Sequence, residues 1–145
     1  MADESAEPTL EVRRTFNAPR ERVYAAWTKA EELQRWSAPG DMTVPVAEVD
    51  LRVGGRYRIV MEAPDGTQHR AIGVYQVIDP PARLAYTWSW ETRPAISDTL
   101  VSLEFIERGA STEVVLRHSK LPNDEERTMH ERGWVGCLTK LSTVI

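Results

Sequence analysis

Between residues 9 and 16 the side chains alternate, with Leu10, Val12 and Phe16 on one parity and Glu11, Arg13 and Thr15 on the other. A period of two marks a strand with one buried face. The period then lengthens. Asn17-Ala18-Pro19 opens a helix, since Asn can cap and Pro is tolerated in a first turn, and Val23, Ala26, Trp27 and Ala30 form its apolar stripe. Thr28 and Glu31 stand at capping-box spacing, which predicts a second short helix starting there, burying Leu33 and Trp36 and stopping at Pro39-Gly40. From Thr43 the period returns to two, and strands are predicted over 44–52, 56–63, 68–78, 83–91, 99–107 and 112–119. Gly54-Gly55, Pro64-Asp65-Gly66, Asp79-Pro80-Pro81 and Arg108-Gly109-Ala110 supply the turns between them. Returns this short make sequential strands antiparallel neighbours. Asn123 then caps an acidic first turn, Asp124-Glu125-Glu126, and His130, Trp134, Cys137, Leu138, Leu141 and Ile145 follow at helical spacing. The expected fold is α+β: a curved antiparallel sheet of about seven strands wrapped on a long C-terminal helix, with two short helices after the first strand. Residues 1–8 read as a mobile acidic tail and 9–145 as one ligand-binding domain.

Strand parity nominates an inner face. Tyr57, Ile59 and Met61 share a side, as do Ala71, Gly73, Tyr75 and Val77; Leu84, Tyr86, Trp88 and Trp90; Val101, Leu103 and Phe105; and Val114, Leu116 and His118. The helix presents His130 and Trp134 to them. A face this aromatic can be a solid core. Gly133 and Gly136 argue instead for space or close approach, because glycine inside a helix costs about 1 kcal/mol against alanine. The candidate cavity residues are therefore Tyr57, Ile59, Met61, Tyr75, Tyr86, Trp88, Leu103, Phe105, Leu116, His118, His130 and Trp134. Enlarging Gly133 or Ala71 is expected to fill that space. Glu48, Asp50 and Arg52 share a parity opposite Ala47, Val49 and Leu51, and the pattern leaves open which row faces inward.

The chemistry is sparse. His118 and His130 can act as bases or ligand hydrogen-bonders, or they can be held by a hydroxyl or a carbonyl as ordinary buried histidines. No residue is assigned a catalytic role. The three histidines have no ligand spacing among themselves, so neither a metal nor another cofactor is expected. Gly54-Gly55 leads into a strand and is no phosphate loop. Cys137, on the buried stripe, reads as an inert thiol.

With 145 residues the chain has the length of one domain, and no stretch approaches the ~20 apolar residues of a membrane helix. The acidic N-terminus resembles neither a secretory signal nor a transit peptide. A single cysteine fits a reducing cytoplasm, the expected location. A net charge of −4 argues against nucleic acid as the partner. Self-association as a homodimer is left open.

The stretches NAPRERVYAAWT, Leu33-Gln34-Arg35-Trp36, VDLRVGGRYRIVM, Asp65-Gly66, GVYQVIDPPARLAYTW and TEVVLRHSKLP, followed by Gly133-Trp134, Leu138 and Leu141, come in an order that resembles the START-like (SRPBCC, helix-grip) superfamily. The nearer resemblance is to the branch similar to the C-terminal domain of the activator of the heat-shock-protein-90 ATPase. Together these stretches span residues 10–141. The resemblance implies a helix-grip fold with a cavity between sheet and helix. It does not fix a function, since relatives include lipid carriers, hormone receptors, aromatases or cyclases, and chaperone activators. The leading expectation is binding of a small hydrophobic or aromatic molecule. The alternatives are a cyclase-, aromatase- or hydrolase-like enzyme using His118, His130 and a tyrosine, and an interaction module that activates a chaperone ATPase. That last reading draws on eukaryotic relatives that carry a further N-terminal domain, for which these residues leave no room.

Overall fold

Strand β1 (Leu10–Phe16) pairs with β7 (Ser111–Ser119), the strand most distant from it in sequence, in antiparallel register from Leu10↔His118 to Phe16↔Thr112. The remaining strands follow as a meander: β2 (Thr43–Val49), β3 (Arg56–Glu62), β4 (Gln68–Asp79), β5 (Arg83–Trp90) and β6 (Thr99–Arg108). The seven-stranded sheet runs β1-β7-β6-β5-β4-β3-β2, antiparallel throughout, and curls into a half-barrel. Helices α1 (Arg20–Thr28) and α2 (Ala30–Trp36) fill the gap between β1 and β2, and α3 (Asp124–Val144) lies across the concave face. This computed structural model describes residues 8–145; the predicted tail falls, up to residue 7, outside the described residues.

Helix α3 begins as the sequence predicts, with the Asn123 side chain accepting the Glu126 backbone N–H at 2.9 Å. The starts of the short helices differ. Pro19, not Asn17, occupies the α1 N-cap, and no side chain caps it. Thr28 donates its hydroxyl back to the Tyr24 carbonyl at 3.0 Å inside α1, so it is unavailable to open α2, whose N-cap is Lys29. Helix α2 ends at Trp36 with Ser37 as C-cap, ahead of Pro39-Gly40. Its last residue ties the pair together: the Trp36 indole donates to the Ala26 carbonyl at 3.0 Å, and its ring meets Trp27 edge-on at 4.6 Å.

Two bulges shift side-chain parity where simple alternation fails. In β2 the register passes from Thr43↔Glu62 to Val46↔Val60, three steps against two, around Pro45, which has no N–H for the ladder. Val44 therefore points inward, and so do Ala47 and Val49 beyond the bulge. Glu48 faces Arg58 and Asp50 pairs with Arg52 at 2.9 Å, so the charged row is the solvated one. In β4 the register slips between Tyr75↔Tyr86 and Val77↔Ala85. Val77, expected inward, is consequently 40% exposed, and Ile78 packs on the core in its place.

The β4–β5 ladder is also crossed by a side chain. Tyr57 on β3 lies opposite Gly73, passes over it, and donates its hydroxyl to the Thr87 carbonyl on β5 at 2.6 Å. The Thr87 hydroxyl in turn accepts the Val74 N–H at 2.9 Å. A Cβ at residue 73 would stand 1.9 Å from that carbonyl oxygen and 2.6 Å from the Tyr57 ring. Glycine is required here by close approach alone. Gly73→Ala should therefore cost more than about 2 kcal/mol in urea unfolding, well above an ordinary surface change. A loss within about 0.5 kcal/mol would show that Tyr57 can leave this position freely.

Candidate ligand cavity

Between α3, the short helices and the concave sheet lies a cavity of ≈ 260 Å³. All five tryptophans of the chain reach its wall: Trp27 from α1, Trp36 from α2, Trp88 and Trp90 from β5, and Trp134 from α3. Three of the four methionines, Met42, Met61 and Met129, join them, with Leu33, Ile59, Pro39, Tyr86 and Cys137. Polar groups are few: Ser37, His69, Arg93 and His130. His69, Arg93 and Met129 are exposed, which places the mouth between the start of α3, the β5–β6 loop and the start of β4. Behind Tyr86 a second void of ≈ 10 Å³ is bounded by Tyr57, Tyr75, Trp27, Leu33 and Ile59.

The two glycines of α3 differ in role. A Cβ built on Gly133 meets nothing within 4 Å, so this position looks onto open space. One built on Gly136 would meet Pro39 Cβ at 3.0 Å, so there the helix needs glycine to approach the α2–β2 connection.

His118 and His130 are each bonded on both ring nitrogens. Trp134 donates its indole N–H to His118 Nδ1 at 3.1 Å, which leaves the proton on Nε2 to donate to Thr99 Oγ1 at 2.8 Å. Thr99 passes its own proton to the Trp88 carbonyl at 2.6 Å. His130 has the opposite tautomer: Nε2 accepts from the Trp90 indole at 2.9 Å and Nδ1–H donates to the Glu126 carbonyl at 2.8 Å. The rings stand edge to face at 5.2 Å. Burial disfavours the imidazolium at both sites. It pushes His118 down to about 3, helped by His130 nearby, and lowers His130 against the opposing pull of the Glu126 carbonyl and carboxylate. Cys137 is pushed up to about 12 by burial and stays a thiol. At the mouth, Arg93 and Glu126 form an ion pair of 2.6 Å joining the β5–β6 loop to α3.

Of the residues nominated by sequence, Ile59, Met61, Tyr86, Trp88, His130 and Trp134 meet on this wall. Tyr57 and Tyr75 border the smaller void. Leu103, Phe105 and Leu116 lie in the packed core, Phe105 against Tyr24 and Trp27 at 5.1 and 5.6 Å. His118, at 0% exposure, sits behind Trp88 and Trp134 and supports them. Ala71 is fully buried and is no part of the wall. Strand parity could not nominate Trp27, Leu33, Trp36, Ser37, Pro39, Met42 or the mouth residues His69, Arg93 and Met129; it put Trp90 on the inner face, which the list of cavity residues omits. The first six belong to the short helices and the connection after them, and their one signal was the density of tryptophan in α1 and α2.

Comparison with proteins of curated function finds no match. Among solved structures, a protein of Chromobacterium violaceum is 25% identical with a TM-score of 0.88, covering 94% of this chain and 96% of its own. An AHSA1 protein of Silicibacter pomeroyi is 25% identical with a TM-score of 0.83 over the same shares of the two chains. A protein of Arthrobacter aurescens, 21% identical, superimposes with a TM-score of 0.84 over 99% of this chain and 88% of its own. The family described as Activator of Hsp90 ATPase homolog 1-like protein matches residues 17–145, and the chain belongs to it.

Proposed function

We propose that this protein binds a small hydrophobic, largely aromatic molecule in the space between α3 and the sheet. The observation that carries the reading is the wall itself: five indoles and three thioethers around ≈ 260 Å³, with few polar groups. Concave, mostly apolar spaces with a few polar groups are the common form of small-molecule sites, and this one lies just below their usual size of about 300–1,000 Å³. Rings stack on indole faces, and the unbranched methionines adapt to the outline of what enters. An enzyme of the cyclase or hydrolase kind would need a titratable group free to move protons. Here both candidate imidazoles are neutral and doubly hydrogen-bonded. The chaperone-activating alternative is carried by the family description alone and is tested by stimulation of a chaperone ATPase. No helix among the described residues is long and apolar enough to cross a membrane.

An environment-sensitive naphthalene probe should bind the folded protein one to one, with a negative heat-capacity change. Gly133→Leu should abolish that binding while the melting temperature holds or rises, because the added side chain enters vacant space and glycine's helix penalty of about 1 kcal/mol disappears. A solid interior would show the reverse, no probe bound and about 1–3 kcal/mol lost to overpacking.

The structural reading of His118 predicts a pH dependence. The unfolded imidazole titrates near 6.5 and the folded one near 3. In that interval the unfolded chain binds a proton that the folded chain refuses, so stability is complete above about pH 6.5 and declines as pH falls, by up to about 1.4 kcal/mol per unit. Urea unfolding between pH 7.5 and 5 should show this slope. His118→Asn, which keeps a donor and an acceptor but cannot titrate, should be weaker at pH 7.5 and flatter below it. An equally steep slope in the variant would place the titration elsewhere.

A further inference from the structure

Polar groups around the cavity divide into those paired within the protein and two wall indoles, Trp27 and Trp88, whose N–H groups have no acceptor among the described residues. At the mouth, Arg93 is held by Glu126 at 2.6 Å and the Trp90 indole by His130 at 2.9 Å. At the inner end stands Tyr86, 6% exposed, which borders both the main cavity and the small void behind it. Trp27 lines both of those spaces with it. The Trp27 indole N–H is buried with no acceptor among the described residues, and so is the Trp88 indole N–H on the same wall. The neighbouring phenols are treated otherwise. Tyr57 donates to the Thr87 carbonyl at 2.6 Å and Tyr24 to the Arg83 carbonyl at 3.1 Å. Buried donors are almost always given acceptors, so indole donors left without one at a cavity wall call for an explanation.

We infer that the bound molecule supplies the missing acceptor: a neutral aromatic compound that enters with a carbonyl or ether oxygen foremost and receives the Tyr86 hydroxyl proton. With that proton directed to the ligand, the phenol oxygen presents its lone pairs to Trp27, and the two donors form one relay, indole to phenol to ligand. Each bond in such a chain polarises the next. Trp27 is then a positioning residue and Tyr86 the specificity-determining one. A carboxylate does not suit this end, because no cation lies beside Tyr86 and an unpaired buried charge is costly. An ammonium group would bring a buried charge and only further donors. A plain hydrocarbon would fit the walls and offer the Tyr86 proton no acceptor.

The inference rests on the ligand-binding reading, and three matched probes separate the two. Naphthalene, 2-acetylnaphthalene and 2-naphthoate share a ring system and differ at the leading group. Calorimetry on the wild type should rank the ketone about tenfold above the hydrocarbon, with the carboxylate weakest. Tyr86→Phe should bring the ratio of ketone to hydrocarbon affinity close to one. A second measurement needs no variant: the carbonyl stretch of the bound, isotope-labelled ketone should move to lower frequency than in hexane, as hydrogen bonding requires. If ketone and hydrocarbon bind equally and the carbonyl band stays at its hexane position, the inference is overturned while the binding reading stands. If none of the three binds, both fall.

Discussion

The indole of Trp134 donates to His118, His118 donates to Thr99, and Thr99 donates to the Trp88 carbonyl. This chain of neutral hydrogen bonds sets the spacing between the first half of α3 and the β5–β6–β7 floor. Collapse of the helix onto the sheet would shorten the gap and strand three buried donors, each at a cost of about 1–3 kcal/mol. The second half of α3 has no such prop. Leu138 and Leu141 sink fully into the core, and Gly136 lets Pro39 come close. One helix is thus packed tightly over part of its length and held clear over the rest, and the clear part is the cavity roof.

Neutral groups make this affordable inside. Charged ones would not, since desolvating an ion costs far more than desolvating an imidazole or a hydroxyl. The charges instead lie outside, where Arg13, Glu11, Arg117 and Glu113 form a ladder across β1 and β7 and Arg58, Arg70 and Glu91 another across β3–β5. Exposed pairs of this kind contribute little individually. Their value is in keeping the convex face wet, so that the concave face alone is apolar.

The order of elements was legible because each carried its own period and punctuation: the Asn123 cap, the Gly66 and Gly109 turns, the alternation of β5, β6 and β7. What failed did so at irregularities that local pattern does not announce. Alternation puts Val77 on the wrong face because the β4 bulge is a property of its pairing with β5, not of its own residues. Pro45 hinted at the β2 bulge, yet the row of Glu48, Asp50 and Arg52 could be assigned only once β3 was beside it. Asn17 and Thr28 are good caps by type, but Pro19 and the Tyr24 carbonyl pre-empt them. The cavity was half legible for a related reason. Strand parity finds which residues face inward, whereas Leu103, Phe105 and Leu116 differ from Trp88 only in what stands over them, and that is settled by where α1, α2 and α3 come to rest.

The pairing of β1 with β7 carries a consequence for how the chain is made. Glu11 and Arg117, bonded across that pair, are 106 residues apart in sequence. While the polypeptide emerges from the ribosome, β1 has no sheet partner until most of the chain has followed it, and the meander from β2 to β6 can assemble first. Its concave face, with Trp88 and Tyr86, is then uncovered, awaiting both the strand that completes the sheet and the helix that roofs it. Topologies built on contacts this distant fold slowly. A nascent chain in that condition is exposed to misassociation, and a small aromatic molecule able to occupy the open face would meet it before the roof closes. On the proposed binding function, loading during synthesis and loading through the finished mouth would be distinct routes to one complex.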